Sequence, residues 1–171
     1  MTDRSVLISR IRNMLRLCMF PLLAAVIVAL TVAAVLLVRD NRHDAAMAAA
    51  RRDAPAAARE TVAAMLSYTS ATVDRDLTTV AGLTGSFQDD YHNLVSKTIV
   101  PVAKEKGVST RARVVSAGVT SASTDRVTVL MFIDQVTIST AVPAPTTSSS
   151  RVTVTVEKHD DHWLVSGMAP L

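Results

Sequence analysis

The densest set of donor side chains in the chain is the run His159, Asp160, Asp161, His162. Nitrogen and oxygen donors packed this closely are raw material for a divalent-metal site. In a tight hairpin, however, successive side chains point to opposite faces, and the same residue types are what a solvated turn contains. The run therefore predicts a turn, and no metal ligand is assigned. Asp134 is the second candidate, because it interrupts the apolar run MFIDQV. A carboxylate projecting into an apolar pocket is desolvated, its pKa rises, and it can act as a general base. Counting by twos from Arg126 gives the opposite expectation. Thr128, Leu130, Phe132 and Asp134 share one face of a strand, whereas Val127, Val129, Met131 and Ile133 share the other. The second set is the natural core face, so Asp134 is expected outside with Leu130 and Phe132. That apolar pair then forms a patch that a helix or a partner must cover. His92, next to Tyr91, is expected at a partly exposed helix position. Trp163 is expected to anchor the core, with the lining of a lipid cavity as its alternative role.

The sequence contains no P-loop, no nucleotide-binding glycine pattern, no Cys/His metal spacing and no G-x-S-x-G elbow. The readily recognised enzyme classes are thereby removed. No catalytic or cofactor-binding residue is assigned, and no cofactor is expected.

The elements that must position these residues follow from periodicity. Beyond Gly107 the apolar period is 2, which predicts four strands over about 110–121, 125–140, 148–158 and 162–169. Val152, Val154 and Val156 alternate with polar residues, the mark of an antiparallel sheet with one covered face. The stretch AVPAPTTSSS, residues 141–150, is expected to be a loop, since two prolines and five Ser/Thr residues do not build a central strand. Before Gly107, Phe87, Tyr91, Leu94, Val95, Ile99 and Val102 recur at helical steps, capped by Thr84 or Ser86 and bent or divided at Pro101. A shorter helical segment is expected within 70–83. Residues 39–69 are rich in Ala, Arg and Glu and favour helix, with a break near Asp53 imposed by Pro55.

Residues 17–38 carry no charge. As a helix they would measure about 33 Å, enough to cross a hydrocarbon core of about 30 Å. The run is longer than the core of a cleaved secretory signal, so an uncleaved single-pass anchor is expected. Arg4, Arg10, Arg12 and Arg16 precede it against Asp3 alone, which places the N-terminus in the cytoplasm and the remainder outside. Ala25, Ala29 and Ala33 offer small residues for packing against other membrane helices. The only cysteine, Cys18, falls within the run, so no intrachain disulfide can form. The formal net charge is +3, yet residues 39–171 carry equal numbers of basic and acidic side chains. A neutral outer part lacks the positive field that phosphate binding needs, and nucleic acid is excluded as an expected partner.

Helices followed by a four-stranded meander give an α+β domain. The expected architecture is a transmembrane helix and helical stalk, then a cone-shaped fold like that of nuclear transport factor 2 (NTF2), with a curved antiparallel sheet over two or three helices. The expected divisions are a basic tail at 1–16, the membrane helix at 17–38, the stalk at 39–53 and the outer domain at 54–171.

The Arg-flanked anchor, the Ala/Arg-rich stalk and the segments VDRDLTTVAGLTGSFQDDY, DRVTVLMFIDQVT and VTVEKHDDHWLVSGMAPL together resemble the Mce-associated membrane proteins of mycobacteria and related actinobacteria. The resemblance implies a non-enzymatic accessory subunit of a lipid importer. Its partners would be Mce proteins and permease subunits, with the membrane and a sterol or fatty acid close by. It supplies no catalytic residues. Two other readings accompany it: an assembly scaffold like the anchored periplasmic subunits of type IV secretion systems, and a small lipid carrier or enzyme using the cone's cavity.

Overall fold

The computed structural model describes the backbone of residues 3–142 and 144–171 and the side chains of residues 28–142 and 144–171. The chain divides into two compact units, Met1–Ala45 and Ala46–Leu171. Helix α1 spans Asp3–Met65, α2 Val73–Thr78 and α3 Gly85–Leu94. A π turn over Val95–Ile99 joins α3 to α4, Val100–Glu105. The strands are β1 Ser109–Ala122, β2 Arg126–Ile138, β3 Thr146–His159 and β4 His162–Pro170. They form one antiparallel sheet in the order β1-β2-β3-β4, each strand paired with its sequence neighbour. This is the expected α+β, NTF2-like arrangement.

In the first unit, Val28, Leu30, Val32, Val35, Leu36, Leu37 and Val38 are all more than half exposed. Among the described residues no helix is long and apolar enough to cross a membrane. Half of the apolar run, residues 17–27, lies outside the residues whose side chains are described, as do Ala25, Cys18 and the four arginines that precede the run. Ala29 and Ala33 are described, and both are exposed.

In the second unit the expected break near Asp53 is absent, because α1 runs unbroken through Pro55. A proline inside a helix removes one N–H and displaces the carbonyl four residues back, at a cost of about 3 kcal/mol. Arg51, whose carbonyl is the one displaced, is exposed, so water can satisfy it. Ala50, Ala54, Ala58, Val62 and Met65 meanwhile form one buried stripe that continues across the proline. Burial of that stripe in the common core outweighs the local penalty. Near Pro101 the helix is divided as expected, the π turn ending at Ile99 and α4 beginning at Val100, one residue before the proline. Gly107, at φ +63°, ends α4 in the left-handed conformation that glycine adopts without cost.

The core gathers Leu77, Met131, Ile133, Val62, Val73, Val95, Val127, Val129, Val154, Val156 and Val165, all fully buried. Each such side chain contributes about 1.5–3 kcal/mol relative to exposure. The second difference from expectation is at 146–150, which is strand rather than loop: Thr147, Ser148 and Ser149 pair with Val136, Gln135 and Asp134. Threonine tolerates an extended backbone, and here the segment is exposed and has a partner on one side only, since β4 reaches no further than Val152. Pro145 directly precedes the strand, where no ladder bond is needed.

Candidate functional site

The outer face of the sheet is built by β2. Along it Arg126, Thr128, Leu130, Phe132, Asp134, Val136 and Ile138 alternate with the buried Val127, Val129, Met131 and Ile133. The period-2 count therefore holds, and Asp134 stands outside the core. Its Oδ1 accepts a hydrogen bond of 2.6 Å from Ser149 Oγ across the β2–β3 pair. The space between helices and sheet is occupied by fully buried side chains such as Leu77, Met131 and Ile133. A base in an apolar pocket thus loses its premise at Asp134.

Cross-strand register fixes the neighbours of each outer residue. Leu130 lies opposite Gly118 and Thr153, Phe132 opposite Ser116 and Arg151, Asp134 opposite Arg113 and Ser149, and Val136 opposite Arg111 and Thr147. Leu130 is half-buried, whereas Phe132 is 43% exposed, Val136 41% and Ile138 43%. A bulge between Val114 and Ser116 leaves Val115 unpaired and 51% exposed. Two depressions lie along this face. One of about 400 Å³ is lined by Val115, Phe132, Asp134, Ser149 and Arg151. The other, of about 500 Å³, is lined by Tyr68, Asp76, Arg111, Val136 and Ile138. Tyr68 is seated by main-chain bonds of 2.8 Å in both directions with Thr110, which extend the sheet at the edge of β1. Asp76 accepts from the Thr72 hydroxyl, and that bond first, with the Thr69 amide and Arg75 after it, holds its carboxyl below the usual range.

Sequence reasoning placed Leu130, Phe132 and Asp134 together, and they share this face. It missed Val136 and Ile138, although the same count by twos continued past Asp134 reaches both. It missed Arg151 and Val115 as well, because they join the face through register and a bulge.

The remaining chemistry-bearing residues are dispersed. His159 and His162 close a tight turn in which Asp160 has φ +52°. His159 Nε2 lies 3.7 Å from Glu157 Oε2, and among the described residues no three His, Cys, Asp or Glu side chains gather as a metal would need. Trp163 is half-buried against the core and lines a depression of about 500 Å³ with Thr61, Gly82 and Leu164. Tyr91 is buried, its hydroxyl donates to the Met65 carbonyl at 3.3 Å, and burial pushes its pKa up to about 12. His92 is half-buried, and its Nε2 has no hydrogen-bond partner among the described residues.

A helix-backed, four-stranded antiparallel meander with a packed core and a partly apolar outer face defines an NTF2-like domain. The same fold occurs in the periplasmic fragment of TraM, with a TM-score of 0.57 at 11% identity over 69% of this chain and 94% of that one. It occurs too in an IcmL-like type IV secretion system protein of Legionella pneumophila, at 0.56 and 11% over 68% and 89%. No protein-family model matches the chain. The sequence is 37% identical over 157 residues to Outer membrane protein Rv1973 of Mycobacterium tuberculosis, covering 91% of this chain and 98% of that protein. The chain belongs to the family of that mycobacterial protein.

Proposed function

We propose that the protein is a membrane-tethered, non-enzymatic accessory subunit of a cell-envelope complex, and that the complex is a lipid importer of the Mce type. The observation that carries this reading is the division of the sheet into two faces. The inner one is consumed by a filled core, and the outer one presents Phe132, Val136 and Ile138 to solvent with Asp134 among them. A domain built this way works through its surface. Residues 17–38 anchor it with the N-terminus in the cytoplasm, Ala25, Ala29 and Ala33 pack against permease helices, and the outer domain meets Mce proteins outside. Tethering makes docking effectively intramolecular, so a modest interface suffices. The name of the mycobacterial relative supports an envelope location.

A second reading, an assembly scaffold of a secretion system, is favoured by the shared fold of TraM and the IcmL-like protein. Fold alone does not separate the two. The test is purification of tagged full-length protein from native membranes in mild detergent, with mass spectrometry of the chains that come with it. Mce and permease subunits are the expected result. Secretion-channel subunits instead would select the second reading, and purification of the protein alone would overturn both.

A further inference from the structure

From the charge and shape of the outer sheet face we infer its partner's chemistry: an acidic amphipathic helix of another protein, laid along β2. This deepens the accessory-subunit reading and rests on it. The apolar groups are Val115, Leu130, Phe132, Val136 and Ile138. Around them register places Arg111, Arg113 and Arg151. Among the described residues none of these three arginines has an ion-pair partner, whereas Arg126 on the same face is held by Glu157 at 2.6 Å. Two acids lie along the face: Asp134, whose Oδ1 is engaged by Ser149, and Asp76, which is held by the Thr72 hydroxyl and Arg75. The face is thus an apolar floor whose free arginines outnumber its engaged acids, complementary to an apolar ridge flanked by Glu or Asp.

Geometry selects a helix over an extended segment. β2 is paired on both sides along nearly its whole length, so its backbone offers nothing to an added strand. A helix satisfies its own main chain and brings only side chains to the surface. From Leu130 to Ile138 the floor measures about 26 Å at ~3.3 Å per residue, the length of a helix of about 18 residues. No atom lies within 4 Å of where a Cβ would stand on Gly118, so the trough beside Leu130 is open to a bulky side chain. A second copy of this chain fits poorly, because face-to-face packing sets three arginines against three. A lipid surface fits poorly as well, since Phe132 and Val136 line depressions instead of projecting.

The test uses the full chain in detergent micelles and two synthetic 18-residue amphipathic helices. They share a Leu/Phe ridge and differ in carrying Glu or Lys along its flanks. The Glu peptide is expected to bind, more weakly as salt rises, and at least tenfold tighter than the Lys peptide. The triple variant R111E/R113E/R151E should reverse that preference, and because its changes are on exposed arginines it should keep a cooperative thermal unfolding transition, lowered only slightly by the carboxylate set opposite Asp134 at position 113. Equal binding of both peptides, binding of neither, or a preference unchanged in the triple variant would overturn the inference. So would a concentration-dependent dimer of the wild-type chain that Phe132→Asp abolishes, since it would assign the face to a second copy. Pull-down of the triple variant separates the two levels of argument. If the envelope subunits found with wild type persist, the accessory reading stands and this face is not its contact. If wild type brings down none, that reading fails whatever the peptides do.

Discussion

Replacing Gly82 by alanine probes how the segment before α3 is locked against β4. Gly82 accepts a 2.7 Å bond from the Val165 amide, and Thr84 donates one of 3.0 Å to the Val165 carbonyl, closing part of the free edge of β4. Gly82 has φ +85°, and a Cβ there would stand 2.5 Å from Oγ1 of Thr61. An L-residue held in the left-handed region costs about 1–2 kcal/mol. The overlap adds the ~1–3 kcal/mol typical of overpacking. Gly82→Ala should therefore lose about 2–5 kcal/mol in total. Thr61→Ala removes Oγ1 and Cγ2 and leaves only the Cβ, at 3.5 Å, an ordinary contact. In that background the steric contribution should vanish, and the double-mutant cycle should report a coupling of about 1–3 kcal/mol. Urea unfolding can be followed through Trp163, the only tryptophan of the chain, which lines the same depression as Thr61 and Gly82. An equal cost of Gly82→Ala in both backgrounds would refute the contact. A cost below about 0.5 kcal/mol would refute the strained backbone as well.

Other expectations follow from single features. Pro55→Ala restores an N–H inside α1 and should raise stability by about 1–3 kcal/mol in thermal unfolding, whereas a loss would mean the proline ring is needed where it sits. Tyr91 ionises near pH 10 when unfolded and near 12 when folded, so the unfolded state releases its proton first as pH rises. Stability should be intact below pH 10 and fall by up to about 2–3 kcal/mol between pH 10 and 12, a loss that Tyr91→Phe removes. In a Cys18→Ala background, Val35→Cys should resist a membrane-impermeant maleimide in native membranes while Ala141→Cys reacts; labelling of both would argue against the anchor.

The sheet was legible because one rule governs it. Val127 to Ile133 and Val152 to Val156 alternate strictly, and an alternation states which face is buried wherever the strand lies. Gly107 and Pro101 were equally readable, since each acts on the backbone at its own position. What failed depended on distant residues. Pro55 reads as a break when only its own turn is considered, and it survives because Ala50, Ala54, Ala58, Val62 and Met65 are buried together. The segment 146–150 reads as loop until β2 offers it a partner. The candidate face was half legible for the same reason. Leu130, Phe132 and Asp134 share a strand and could be counted, whereas Arg151 reaches them across a ladder whose register no local pattern announces.

The buried stripe of α1 is methyl-sized over much of its length, with Ala50, Ala54 and Ala58 all but inaccessible to solvent. During synthesis this helix emerges long before the strands that complete its core. A stripe of leucines would offer a sticky surface through that interval, but single methyl groups expose little to associate with. The alanines thus trade some final stability for a safe delay, and the chain commits its large apolar side chains mainly to the strands that arrive last.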